Sequence, residues 1–213
     1  LEIYEINTKN KLRYVYATKP FKLGLNIEKN ISCYHSDKKL LHRKYKIINK
    51  NLNRYSSNFF KKINLKYIVL CENLSIGGIK TAGIPAHTMR TLILDVKFNE
   101  EHFERAIHHE VFHIINDNFK EFFDRSKWKN FNKKDFTYSK CSTCNNKWNL
   151  ELYELTNGFL TEYSKTTSSE DMAEIFSHLM LYKGKFNTKD PIIKEKILFI
   201  KKNILKIDNT FKF

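Results

Sequence analysis

Between Asn99 and Asp117 the chain reads as one strong helix, and a polar face interrupts its otherwise core-like character. Phe103, Ala106, Ile107, Val111 and Ile114 recur at helical spacing. Asn99 can cap the start, and Glu100 and Glu101 suit the positive end of the helix dipole. Within this segment lies His109-Glu110-Val111-Phe112-His113. Residues i and i+4 stand one above the other on a helix face, so both imidazoles can reach one ion. Three polar side chains buried without partners would be costly, and a metal supplies the partner.

The pattern H-E-x-x-H also arises by chance, and this chain has eight His. Helical context is what favours the metal reading. Zinc binds His nitrogen, and a catalytic site keeps three protein ligands and one open position. Glu110 follows the first His directly, close enough to take a proton from a water in that position.

A third ligand should lie downstream. The metzincin extension needs Gly at 116 and His at 119, where this chain has Asn116 and Phe119, so that class is excluded. The other common solution is a Glu on a later helix. One acidic cluster fits: Glu170-Asp171-Met172-Ala173-Glu174. Glu170 and Glu174 are again i, i+4. One can bind the metal while the other bonds a ligand His from behind, and spacing alone does not say which. The bland alternative is an acidic first turn favoured by the helix dipole.

The stretch Tyr163 to Met180, YSKTTSSEDMAEIFSHLM, resembles the corresponding stretch of the anthrax lethal-factor group of zinc peptidases. Those peptidases are gluzincins, with H-E-x-x-H and a downstream Glu. The resemblance implies His109, His113 and Glu170 as ligands of one Zn²⁺ and Glu110 as general base. It also implies Glu174 as support behind the ligands. Tyr163 would donate its hydroxyl to the oxyanion. The resemblance covers roughly residues 100–207 and is specific only around the two motifs. The insert departs from that family at Cys141 and Cys144, so substrate preference does not carry over.

The expected class is α+β, a single zincin-like catalytic domain over 1–213. A small mixed sheet occupies the lobe 1–98, the active-site helix 99–118, and a helical lobe with the third ligand 119–213. Residues 1–24 suggest a short strand pair or an extended arm. Ser36-Asp37 can cap a helix to about Lys62. Leu65–Cys71 and Thr91–Val96 read as strands. Leu74–His87, with Gly77, Gly78, Gly83 and Pro85, reads as a loop or irregular edge strand. At that edge an extended peptide could add as an antiparallel strand. Glu151–Tyr163 suggests a short helix broken at Asn157-Gly158. Ser168 or Ser169 caps a helix to about Leu181, and Pro191 opens a last helix to Ile207.

Charge adds a competing idea. There are 38 Lys and Arg against 23 Asp and Glu, a net +15. That balance invites an acidic or nucleic-acid partner. Lys127, Lys129, Lys133 and Lys134 alternate with Trp128, Phe131, Phe136, Tyr138 and Trp148, which could be stacking platforms. A small aromatic core under a long insert is the preferred reading of those rings. Nucleic acid is therefore not the expected partner.

The expectation is a metalloendopeptidase acting on protein or peptide, a monomer, with a non-catalytic basic binding module on the same scaffold as the alternative. No apolar stretch is long enough to span a membrane. Cys33 and Cys71 read as isolated, and Cys141-x-x-Cys144 as a local disulfide or two free thiols. The chain opens on Leu1 rather than Met, so its start says nothing about export. Toxin-like and secreted relatives make a secreted or otherwise extracytoplasmic location the expectation.

Overall fold

The computed structural model describes residues 1–23, 30–139, 141–142, 149–185 and 188–213. Two compact units divide it, Leu1–Ile114 and Ile115–Phe213. The class is α+β: a mixed sheet and six helices among the described residues.

The first unit holds the sheet. Its strands are β1 (Glu2–Glu5), β2 (Arg13–Tyr16), β3 (Phe21–Leu23), β4 (Ile31–Tyr34), β5 (Tyr67–Ile76), β6 (Ile79–Lys80), β7 (Gly83–Ala86) and β8 (Thr91–Asp95). The hub is β5. Its first half, rich in β-branched and aromatic residues, pairs in parallel with β2 and β8; its second half pairs antiparallel with β4 and β6. Every residue of β8 is buried, as a central strand requires.

Of the two readings of Leu74–His87, loop or irregular edge strand, the structure takes mostly the second. Strand β5 runs on to Ile76, and β7 pairs antiparallel with β8, Gly83 opposite Leu94 and Pro85 opposite Leu92. Among the described residues β7 pairs with no other strand, so it is an edge. The Asp95 N–H donates to the Ala82 carbonyl at 2.9 Å, which sets the phase of this ladder. Antiparallel pairs alternate between bonded and non-bonded. Ala82, Ile84 and Ala86 therefore bond toward β8, and Gly83 and Pro85 turn their backbone groups the other way. Pro85, which has no N–H to give, sits where the ladder does not ask for one.

Side chains alternate across the sheet. Ala17, Ile31, Cys33, Val69, Cys71, Leu74, Ile84 and Ile93 form one buried cluster. Within it Cys33 and Cys71 are a disulfide with Cα atoms 5.8 Å apart. This corrects the reading of both cysteines as isolated. The antiparallel pairing of β4 with β5 places them, and that pairing is invisible in the spacing of two lone cysteines. Cys141 is disulfide-bonded too, while Cys144 and Trp148 lie outside the described residues.

The helix expected from Ser36 to Lys62 is two. Helix α1 (Lys38–Leu52) starts at Asp37, whose carboxylate accepts the Lys39 and Leu40 N–H groups. It stops at Asn53, and α2 (Ser57–Lys62) begins afresh with Ser56 as its cap. The turn between them delivers Tyr55 to the interior, where its hydroxyl lies 2.6 Å from His108 Nδ1.

Helix α3 (Glu100–Asn118) carries the H-E-x-x-H segment and runs from the first unit into the second. Its cap is Asn99, which accepts the Glu101 N–H at 2.9 Å. The second unit continues with α4 (Arg125–Lys129), α5 (Ser168–Leu181) and α6 (Pro191–Ile207). Thr167, not Ser168 or Ser169, caps α5, accepting the Glu170 N–H. Asp190 caps α6, with Pro191 at the first turn. No helix forms over 151–163. Asn157 and Gly158 both have positive φ, which closes a turn there instead, and the next helical form is a single 3-10 turn at Tyr163–Lys165. The aromatic insert is core at Trp128, which is fully buried with its ring against Phe199 of α6, and Phe136 packs at a tilt against Phe159.

Candidate metal centre

On α3, one turn brings His109 and His113 together. Their Nε2 atoms are 3.1 Å apart and their rings meet edge to face. Two nitrogens about 2.0–2.1 Å from one tetrahedral zinc would stand about 3.3 Å from each other. The separation of this pair thus fits joint ligation, and imidazole is a natural zinc donor. His109 and Glu110 are buried, and His113 is half-buried.

His108 points elsewhere. Its Nδ1 faces the Tyr55 hydroxyl and its Nε2 lies 3.0 Å from Asn51 Oδ1. Asn51 Nδ2 is committed to the Ile47 carbonyl and Glu104, so its Oδ1 accepts and His108 Nε2 must donate. Full burial pushes this imidazole down to about 3, keeping it neutral. It is a core histidine, as its offset of about 100° around the helix predicts.

In the second unit Glu170 and Glu174 lie one turn apart on α5, both buried. Glu174 Oε2 accepts from Thr161 Oγ1 at 3.0 Å. Tyr163 is half-buried and opens the 3-10 turn that leads into the α5 cap.

Between the two glutamates the chain hides a residue with another job. Asp171 is fully buried, and its Oδ2 accepts from Lys196 Nζ at 2.6 Å, Trp128 Nε1 at 2.8 Å and the Tyr138 hydroxyl at 2.5 Å. Burial pushes the Asp171 carboxyl up and the Lys196 ammonium down, and each partner opposes the other's shift. Lys196 also donates to the Gly158 carbonyl at 2.6 Å. The network joins the insert, α5 and α6 at the first turn of α5. The sequence did hold a signal for it: a lysine inside the apolar stripe Ile193, Ile197, Ile200 of α6.

No curated protein and no solved structure matches the chain. A family model does match, over residues 43–194, the greater part of the chain, and the segment takes in His109, His113 and the acidic cluster. The chain belongs to the family described as putative zinc-binding metallo-peptidase.

Proposed function

We propose that the protein is a zinc-dependent endopeptidase of zincin type, with one catalytic ion held by His109, His113 and Glu170. The observation that carries this reading is the imidazole pair at 3.1 Å on α3 with Glu110 beside it. In support of the third ligand, Glu170 is a buried carboxylate one turn from Glu174 on α5, and carboxylate oxygen is a zinc donor.

A zinc ion, when bound, polarises a substrate carbonyl and brings the pKa of a water to about 7. Glu110 is the general base: its carboxylate takes a proton from the attacking water and returns it to the leaving amine. Tyr163 donates its hydroxyl to the oxygen that turns negative in the tetrahedral intermediate. Glu174, held by Thr161, fixes the orientation of a ligand side chain. An extended peptide adds to the β7 edge, meeting the backbone groups that Gly83 and Pro85 turn away from β8. The disulfide Cys33–Cys71 supports a location outside the reducing cytosol, because such bonds persist in oxidising compartments.

The test is direct. Purified protein should hold stoichiometric zinc and cleave a generic unfolded substrate in a chelator-sensitive way. Glu110→Gln should keep the zinc and lose about 10²–10⁴ of the rate. Salt-sensitive nucleic-acid binding with no cleavage would overturn the peptidase reading.

A further inference from the structure

Gly83 is a glycine whose backbone does not ask for one. It lies in the extended strand β7, and its φ is not among the positive ones. Glycine in a strand weakens it and marks a close approach. Here the approach is to Glu110. A Cβ built on Gly83 would stand 2.6 Å from Glu110 Cγ, 3.1 Å from Glu110 Cδ and 3.2 Å from the Ile93 carbonyl oxygen. Carbon atoms rest against each other at about 3.5–4.0 Å, so even the smallest side chain would collide with the middle of the Glu110 side chain. Glu110 is buried and therefore has little room to retreat.

We propose that Gly83 is a positioning residue for Glu110: the missing side chain on the edge strand is the seat of the carboxylate. The proposal rests on Glu110 being the general base. It adds that the strand which would receive the peptide and the residue which would take the proton share one contact. Substrate register and base position are then set by the same four-residue strand. A carboxylate displaced by an ångström loses alignment with the water it must deprotonate, and such misplacement costs about 10²-fold.

The experiment is a double-mutant cycle over Gly83→Ala and Glu110→Ala, read first by urea denaturation of the zinc-free protein. Gly83→Ala should lower the midpoint when Glu110 is present. It should do so much less in the Glu110→Ala background, where Cγ and Cδ are gone. An equal shift in both backgrounds would overturn the proposal, since the collision would then be elsewhere. In the zinc-loaded enzyme, Gly83→Ala should lower kcat at least tenfold with zinc content retained and KM within about twofold. A folded, zinc-loaded Gly83→Ala enzyme with full kcat would equally overturn it. The first readout needs no catalysis. Were the wild type to cleave nothing, the peptidase reading would fall while the cycle still reported on the seat.

Discussion

Lys196 Nζ and Asp171 Oδ2 lie 2.6 Å apart with both side chains wholly out of solvent. Taking away one member of such a pair strands a charge in the interior, which costs about 3–5 kcal/mol. Lys196→Met should therefore lower the unfolding free energy by about that much. Lys165→Met is the control, because the Lys165–Glu162 pair at 3.0 Å is partly exposed and worth about 0–1 kcal/mol. Urea denaturation of the two variants checks the contrast, and equal small losses would contradict it.

His108 gives a pH prediction of definite sign. Its folded pKa is about 3, against about 6.5 in the unfolded chain. Between those values the unfolded state binds the extra proton. The contribution of His108 to stability is thus intact above about pH 6.5 and lost progressively as pH falls towards 3. The stability difference between the wild type and His108→Gln, measured at intervals from pH 7 to pH 4, should shift against the wild type as acid is added. A difference independent of pH would rule this out.

Tyr163→Phe removes one hydroxyl and little else. If that hydroxyl meets the oxyanion, kcat should fall about 10²–10³-fold. KM and zinc content should hardly change, because the bond strengthens only in the transition state. A raised KM with normal kcat would place the hydroxyl on the substrate's ground state instead.

The disulfide between Cys33 and Cys71 closes a sequence separation of 38. Replacing both cysteines with alanine should cost about 2–5 kcal/mol. Thermal melting of the wild type with and without reductant should show a drop at least as large, since reductant also opens the bond at Cys141. An unchanged melting temperature in reductant, with both thiols shown to be free, would refute it.

The elements that local signals control were legible in the sequence. Helix α3 was readable from its Asn99 cap, acidic first turn and apolar period, and with it the spacing of His109 and His113. Asp37 and Pro191 announced the starts of α1 and α6 equally well. Tertiary demands decided the rest. The break before Ser56 brings Tyr55 to His108, 53 residues away in the chain. For the segment holding Gly83 and Pro85 the sequence left loop and edge strand open, and pairing with β8 decides for the strand. The Cys33–Cys71 bond depends on strand pairing that no cysteine spacing encodes. Asp171 looked like one more acid beside Glu170, because its partners Trp128, Tyr138 and Lys196 come from remote segments.

Pro85 carries a final consequence. A sheet edge is a template on which further copies of the same chain could stack, and proteins blunt it with proline, charge or brevity. β7 is four residues long and has a blank where Pro85 would otherwise present a donor. A ladder of identical chains stacked on this edge would lose a hydrogen bond at Pro85 at every step. One imino acid thereby works against this edge becoming a seed for self-association.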